Sequence, residues 1–380
     1  ARRKIETSSG KSVGVGGGES DGGGGSEGGS SEGGGDGGEP EPPRGAGSEA
    51  GEGMAVSRRR EIRESVREAF IRSYDKYISE AFPAAELRPL PMRDGRCEGG
   101  EFVLVNITGV TLVDTLDTLA LMGNASEFRR AVAMVSEHYG EAGFDFDVTV
   151  SVFEATIRIL GGLLSAHLLA ESPNRRLYPH RPNGAVADGP VVKALDGNDD
   201  EFYDGSLLPL ARDLAERMMP AFDTPTGMPY GSVNLRRGVS ANETTVASLA
   251  GAGSLSLEFM LMSELSDDPS YGCAARKALV ALYEHRAENG LVGKHIDIES
   301  GDWVEATAGI GSTADSFYEY MAKTHLVFGD NELWSMFSEL VSSIDAHTKF
   351  GPWYVDVDLG SGLCSRPVFD SLQGFWPGLM

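Results

Sequence analysis

Three acidic side chains stand in otherwise apolar segments, where a carboxyl group could transfer a proton. Glu154 lies in Ser-Val-Phe-Glu-Ala-Thr-Ile-Arg-Ile-Leu-Gly-Gly (151–162), and Arg158 follows it one helical turn later. Glu258 lies in Ser-Leu-Glu-Phe-Met, and Asp315 opens Asp-Ser-Phe-Tyr-Glu-Tyr. Partial burial shifts the pKa of a carboxyl group and can prepare it for acid–base catalysis. Three such residues on separate helices are more than packing usually tolerates.

Each of these residues also has a purely structural interpretation. Glu154 and Arg158 lie on one helix face and could form an ion pair that holds two helices together. Asp315 could cap a helix N-terminus, where an acidic residue is favourable. Against this, Asp315 and Glu319 stand beside aromatic residues, and carboxylates next to aromatic rings are also what a sugar-binding site uses.

Helical periodicity dominates the chain from Arg58 onward. Apolar residues recur every fourth position from Ile62 to Ile78, which predicts an amphipathic helix. The Gly161-Gly162 pair lies inside the most apolar long segment and predicts a close approach of two helices. Further helices are predicted over 112–122, 127–139, 148–170, 207–221, 248–265, 270–286, 313–328 and 331–347.

Short alternating stretches between the helices predict β-hairpins. One covers 291–305, with its turn at Ser300-Gly301, and the other covers 353–368, around Gly360-Ser361-Gly362. Helices joined by small hairpins, without alternation of strand and helix, exclude a Rossmann or TIM design. The fold class predicted is therefore mainly all-α, with paired helices arranged around a common axis.

Composition divides the chain of 380 residues into two parts. Residues 1–56 are rich in Gly, Ser and Glu and are predicted to be disordered, because they have little apolar surface to bury. Residues 57–380 are long enough for one large domain.

The net charge of −24 argues against nucleic acid as a partner. No run of 18 apolar residues predicts a membrane span, and no apolar signal segment opens the chain.

The cysteines and the glycosylation sequons give weaker indications. Cys97, Cys273 and Cys364 have no metal-binding spacing, so zinc is not expected and the pairing of any disulfide stays open. Sequons begin at Asn106, Asn124 and Asn242. They are only weak evidence for a secretory protein, because the tripeptide is common by chance.

Several segments, taken together and in order, resemble the class I α-mannosidases of glycoside hydrolase family 47. The resemblance covers about residues 60–380, and 370–379 (Asp-Ser-Leu-Gln-Gly-Phe-Trp-Pro-Gly-Leu) is similar to the ER degradation-enhancing α-mannosidase-like branch. The other matching segments are 112–119, 151–162, 225–230, 250–255 and 314–320.

This resemblance implies an (α/α)7 barrel, a Ca²⁺ cofactor and inverting hydrolysis of α-1,2-linked mannose. It places Glu154 at the proton-donor position and Asp315 at a second catalytic carboxylate, and it places Arg158 and Glu258 along the sugar subsite. It further implies high-mannose N-glycans on misfolded glycoproteins as substrate, the endoplasmic reticulum lumen as location, and ER oxidoreductases or chaperones as partners.

Two parts of the family pattern are expected beyond Met380, namely a catalytic Glu in an Arg-Pro-Glu motif and a late Thr that ligates calcium. No metal ligand is therefore expected within this chain, and the barrel is expected to be truncated at its C-terminus. We expect residues 1–380 alone neither to bind calcium tightly nor to hydrolyse mannosides. The alternatives to an enzyme are a non-catalytic lectin for high-mannose glycans and an inactive truncated fragment.

Overall fold

A computed structural model describes residues 56–90, 97–179 and 202–380. The predicted disordered segment 1–56 lies outside the described residues except for Val56, so that prediction is not tested. The chain divides into two units, Ala1–Arg59 and Arg60–Met380. The second unit carries the predicted domain and the candidate site.

Helices supply most of the secondary structure of the described residues, as predicted. A π-helical stretch covers Ala155–Leu160, and short 3-10 turns lie at Gly140–Ala142, Met219–Phe222 and Ser371–Phe375. The helices are α1 Val56–Glu80, α2 Val110–Asp114, α3 Leu116–Leu121, α4 Ala125–Tyr139, α5 Val152–Glu154, α6 Gly161–Glu171, α7 Leu207–Met218, α8 Leu249–Gly253, α9 Ser256–Ser266, α10 Ser270–Glu284, α11 Asp315–Phe328, α12 Asn331–His347 and α13 Trp376–Leu379.

The longer helices pack as consecutive pairs, namely α3 with α4, α6 with α7, α9 with α10, and α11 with α12. The first members of these pairs also contact one another in succession, α3 with α6, α6 with α9, and α9 with α11. One series of helices therefore lies side by side while each member has its own partner. This is the arrangement of an (α/α) barrel, and it confirms the predicted fold class.

Short antiparallel strands connect the helices. They are β1 Glu86–Arg88, β2 Glu98–Gly100, β3 Thr149–Ser151, β4 Ser232–Asn234, β5 Val246–Ser248, β6 His295–Asp297, β7 Thr307–Ala308, β8 Lys349–Phe350, β9 Trp353–Tyr354, β10 Asp356–Asp358 and β11 Cys364–Arg366. The pairs are β1–β2, β3–β4, β5–β6, β7–β10, β8–β9 and β10–β11.

The two predicted hairpins have different outcomes. The hairpin over 353–368 is confirmed, since β10 and β11 pair across the predicted glycine turn. In 291–305 the chain does turn back, and Ile296 bridges Trp303, but β6 forms its ladder with β5 instead. The strand at 246–248 was not predicted because its three residues show too little alternation.

The apolar stripe on α1 is buried only in its second half. Tyr74 is 3% exposed, whereas Ile62 is 39% and Val66 is 52% exposed. The regular four-residue spacing identified the helix correctly, but it did not determine how much of the helix packs against the core.

The helical run Val152–Glu171 is the one stretch in the described part of the chain that is long and apolar enough to cross a membrane by length and composition. Its residues Ile159, Leu160, Leu163 and Leu164 are almost fully buried in the core. It also carries Glu154 and Arg158. The run is therefore a core helix of the barrel.

The cysteines and two of the sequon asparagines are accessible. All three cysteines are free thiols, and Asn106 and Asn242 are exposed. Asn124 is half-buried and caps α4, because its side chain accepts a hydrogen bond from the Glu127 backbone N–H.

Candidate active site

Glu154 is held at the point where a strand becomes a helix. Ser151 ends β3 and caps the following turn, its hydroxyl accepting a hydrogen bond of 3.3 Å from the Glu154 backbone N–H. The helix then widens into the π-helical stretch Ala155–Leu160. Such π turns are rare and are frequent at functional sites. Apolar periodicity alone predicted a regular helix here and could not reveal the widening.

Arg158 lies at the centre of the first cluster. Its Nε donates a hydrogen bond of 2.6 Å to Oε2 of Glu154, and its Nη1 lies 3.5 Å from Oδ2 of Asp114. The guanidinium also lies over the ring of Phe102, 5.0 Å from the ring centroid. The predicted pairing of Glu154 with Arg158 is confirmed. Arg158 thus holds two carboxylates from different helices with a planar fork that lysine lacks.

Asp114 belongs to this cluster although it was not among the predicted site residues. Burial raises the pKa of its carboxyl group, and the neighbouring Arg158 opposes the rise. The available signal was its place in Leu-Val-Asp-Thr-Leu, a carboxylate within an apolar stretch. Periodicity gave no reason to prefer it over Asp117, three residues later.

Glu258 is the carboxyl group most strongly affected by burial. Its Oε1 accepts a hydrogen bond of 3.0 Å from the Tyr320 hydroxyl, while its Oε2 is buried with no hydrogen-bond partner in the described part of the chain. Burial raises the pKa of Glu258 to about 7. Smaller effects, among them the hydrogen bond from Tyr320, lower the pKa and offset part of this rise. A carboxyl group of this kind can accept or donate a proton near neutral pH.

The Gly161-Gly162 pair makes room for the elements that carry the site. A Cβ on Gly162 would lie 2.9 Å from Cγ1 of Val113, so α6 approaches α2 more closely than any other residue would allow. A Cβ on Gly161 would lie 3.5 Å from Oε1 of Glu258, which is ordinary contact. The predicted close approach of helices is therefore confirmed at Gly162.

Asp315 begins α11 but does not cap it. The cap residue is Ala314, and the Asp315 carboxylate accepts a hydrogen bond of 2.8 Å from the next backbone N–H, that of Ser316. The interpretation of Asp315 as an N-cap is therefore wrong. Burial raises the pKa of its carboxyl group, and the negative charges of Asp370 and Glu319 add to the rise.

Hydroxyl contacts join the helix of Glu258 to the helix of Asp315. Ser254 donates a hydrogen bond of 2.7 Å to Ser316, and Ser256 lies 2.7 Å from Thr324 in a buried position. These contacts fix α11 against the segment that precedes and begins α9. Glu258 thus lies between the π-helical stretch on one side and α11 on the other.

The structure brings one pair of the predicted residues into contact, since Glu154 and Arg158 are bonded to each other. Glu258 and Asp315 lie on neighbouring helices, α9 and α11, but among the described residues no hydrogen bond or ion pair joins them to each other or joins Glu154 to Asp315. The π-helical stretch of Arg158 packs on α9, the helix of Glu258.

Calcium, which the family resemblance implies, finds no cluster of protein ligands here. Within 56–90, 97–179 and 202–380 no three His, Cys, Asp or Glu side chains could together hold a metal ion. Calcium takes six to eight oxygen ligands. The described residues therefore supply no such set of ligands by themselves.

Glycosidases use two carboxyl groups for acid–base chemistry, and the buried and paired carboxyl groups on this helical barrel are compatible with that use. The sequence profile of "Glycosyl hydrolase family 47" matches residues 69–380. The chain belongs to this family, and its family relatives are α-mannosidases.

Two curated relatives and one solved structure agree with this assignment. "Alpha-mannosidase I MNS4" of Arabidopsis thaliana is 42% identical over 320 residues, which are 84% of this chain and 46% of that protein. "ER degradation-enhancing alpha-mannosidase-like protein 2" of Homo sapiens is 43% identical over 83% of this chain and 50% of its own length. An α-1,2-mannosidase from Trichoderma reesei superposes with a TM-score of 0.67 at 26% identity, covering 84% of this chain and 62% of that one. The chain spans about half the length of these curated relatives.

Proposed function

We propose that the protein is a mannosyl-oligosaccharide α-1,2-mannosidase that trims high-mannose N-glycans of misfolded glycoproteins for ER-associated degradation. The observation that carries the proposal is the cluster in which Arg158, on a π-helical turn, holds Glu154 and Asp114. The family assignment supports the reaction class, and the names of the relatives support the setting. Because the chain spans about half of those relatives, the activity of the whole protein is part of the proposal.

Glu154 is the proton donor to the oxygen of the scissile glycosidic bond. Its side chain is 14% exposed, so it is reachable but partly shielded from water. The hydrogen bond from Arg158 fixes one carboxyl oxygen and leaves the other to face the leaving group. A general acid placed in this way contributes about 10²–10⁴-fold to the rate.

Asp315 is the second catalytic carboxyl group. An inverting glycosidase needs an acid on one face of the sugar ring and a base that activates water on the other. The base opposite Glu154 is expected beyond Met380, so Asp315 is a further carboxyl group of this acid–base site. Among the described residues, no hydrogen bond or ion pair joins Asp315 to Glu154. The product of such a reaction is the β-anomer of mannose.

Arg158 and Glu258 bind the sugar. The Arg158 guanidinium offers further N–H donors to sugar hydroxyls, since only part of its fork is used by Glu154 and Asp114. Oε2 of Glu258 has no partner in the described part of the chain and can accept a hydrogen bond from a hydroxyl group. A buried acceptor left unpaired is costly, and a bound substrate removes that cost.

The proposed location is the lumen of the endoplasmic reticulum, with ER oxidoreductases or chaperones as partners that deliver the glycoprotein. The names of several relatives refer to ER degradation. The calcium dependence of the family stays an expectation for this protein, because the described residues offer it no ligand cluster.

The test is hydrolysis of mannobioses by the purified whole protein, not by residues 1–380 alone, with and without added calcium. We expect release of mannose from the α-1,2-linked disaccharide, slower release from the α-1,3 and α-1,6 isomers, and β-mannose as the first product seen by proton NMR. An α-anomer as first product would contradict the inverting mechanism.

The lectin alternative predicts a different result in the same samples. A lectin would bind a high-mannose oligosaccharide in calorimetry without releasing mannose from it. Binding without turnover in the presence of calcium would overturn the proposed enzyme activity and support the lectin.

A further inference from the structure

Asp370 caps the short 3-10 turn Ser371–Phe375 with one of its carboxyl oxygens. Oδ1 accepts hydrogen bonds from the backbone N–H groups of Leu372, at 2.8 Å, and Gln373, at 3.2 Å. The Gln373 side chain accepts in return from the Asp370 backbone N–H, which completes a capping box. This local role requires only one oxygen of the carboxylate.

The other oxygen reaches a segment 58 residues earlier in the chain. Oδ2 accepts a hydrogen bond of 3.1 Å from the backbone N–H of Ser312. A Cβ on Gly311 would lie 2.3 Å from the same oxygen, so only glycine permits this approach. Asp370 therefore connects the capped turn to the residues that lead into α11.

The segment 311–315 has an unusual backbone that needs such support. Thr313 has φ +72°, a left-handed conformation that is strained for a residue other than glycine. The Asp315 backbone N–H donates to the carbonyl of Gly311, at 3.1 Å, and the Thr313 carbonyl accepts from Ala250, at 2.8 Å. A strained turn persists only where its surroundings hold it. The 311–315 turn determines the direction in which the Asp315 side chain points away from the backbone.

We propose that Asp370 is a positioning residue for Asp315, holding the 311–315 turn through Ser312 and placing a second negative charge near the Asp315 carboxyl group. The proposal rests on the proposed function for the role of Asp315 in hydrolysis. The positioning itself rests on the hydrogen bonds and the close contact at Gly311.

The charges around Asp315 give this arrangement an electrostatic consequence. Burial is the first cause of the raised pKa of Asp315, and Asp370 and Glu319 are the negative groups that add to it. Glu319 is paired with Lys323 at 2.7 Å, which offsets its charge. The Ser316 N–H acts in the opposite direction and favours the charged carboxylate. The negative charge of Asp370 therefore raises the pKa of Asp315, against the lowering effect of the Ser316 hydrogen bond.

Asp370→Asn separates positioning from capping. The amide oxygen of Asn can still accept from Leu372 and Gln373, since Asn is as good a cap as Asp. The amide nitrogen would then meet the Ser312 N–H, donor against donor, and the negative charge is gone. If Asp370 is only a cap, this variant should behave like the wild type.

The experiment is a titration of the protein labelled with ¹³C at the Asp carboxyl groups, followed by NMR, with Asp315→Asn used to assign the Asp315 signal. We expect Asp370→Asn to lower the pKa of Asp315, because a neighbouring negative charge that favours the protonated carboxyl group is lost. Asp330→Asn is the matched control, because Asp330 caps α12 through two backbone N–H groups in the same way. It should leave the Asp315 titration unchanged.

A second variant, Gly311→Ala, keeps the charge of Asp370 but pushes its carboxylate away from Ser312. It should shift the Ser312 and Asp315 amide resonances and lower kcat for mannobiose more than it changes KM. An unchanged Asp315 titration in Asp370→Asn would overturn the inference. Failure of the proposed function would appear differently, as a wild-type protein that shows the expected titration but releases no mannose.

Discussion

The hydroxyl group of Tyr320 donates a hydrogen bond of 3.0 Å to Oε1 of Glu258, across 62 residues of sequence. Oε2 of the same carboxyl group is buried and has no partner among the residues described. The pair therefore leaves one oriented, buried oxygen between two helices of the barrel. Its protonation state should control both stability and sugar binding.

Glu258 should make the protein less stable as the pH rises. Burial raises its pKa from 4.5 to about 7 in the folded state, so the folded protein binds the proton more tightly than the unfolded chain. Below pH 4.5, Glu258 is protonated in both states and does not lower the free energy of unfolding. Between pH 4.5 and 7 the ionisation of Glu258 in the unfolded chain makes the folded protein progressively less stable. Since one pKa unit corresponds to about 1.4 kcal/mol, the loss above pH 7 is at most about 3 kcal/mol.

Urea unfolding of Glu258→Gln at pH 5 and pH 8 checks this expectation. The variant should gain stability relative to the wild type at pH 8 and gain much less at pH 5. Glu264→Gln is the matched control, because Glu264 is exposed on the same helix and should show no such difference. Equal effects of Glu258→Gln at both pH values would contradict the raised pKa.

In the whole protein, Glu154→Gln should lower the hydrolysis of an α-1,2-mannoside by about 10²–10⁴-fold, the usual contribution of a general acid. Substrate binding should persist, because the amide keeps the shape of the side chain and can still accept from Arg158. Turnover and oligosaccharide binding are measured in parallel, by mannose release and by calorimetry.

The matched control for that substitution is Glu216→Gln. Glu216 also pairs with an arginine one turn away on its helix, Arg212, but on an exposed surface. Its replacement should leave turnover unchanged. A Glu154→Gln protein that retains turnover within a few-fold of the wild type would show that another group donates the proton.

Asp315→Ala and Asp315→Ser should both abolish hydrolysis without a marked loss of stability, because Asp315 makes no capping hydrogen bond. At Asp330, which caps α12 and also pairs with Arg276 at 2.7 Å, Ala should cost at least the about 1 kcal/mol of the cap, and Ser should restore the cap but not the ion pair. Thermal melting and mannose release are measured for all four variants. Full turnover of Asp315→Ser would rule out a catalytic role for this carboxylate.

Gly162→Ala should destabilise the protein, whereas Gly161→Ala should not. The new methyl group at position 162 would lie 2.9 Å from Val113 Cγ1 and 3.1 Å from its carbonyl oxygen. At position 161 the nearest atoms lie at 3.4 Å or more, so the gain in helix propensity of about 1 kcal/mol should dominate. Chemical denaturation measures the free energy of unfolding of both variants. Equal stabilities of Gly161→Ala and Gly162→Ala would contradict the close approach at Gly162.

The sequence by itself determined the helices and the local contacts. The helix Asn331–His347 begins and ends where the pattern predicted, and the bond between Glu154 and Arg158 follows from their spacing of four residues. The hairpin around Gly360 to Gly362 is equally local. These features were predictable because neighbouring residues of a helix or a tight turn meet whatever the rest of the chain does.

Only the tertiary structure decided which distant residues meet. Arg158 reaches Asp114, Tyr320 reaches Glu258, and Asp370 reaches Ser312, all across other elements of the chain. Such contacts depend on how helix faces pack, and periodicity identifies a face without naming its partner. For the same reason the strand at 295–297 paired with 246–248 rather than within its own turn. Burial sets the pKa of Glu258, and burial is a property of the packed barrel, not of the residues next to it in sequence.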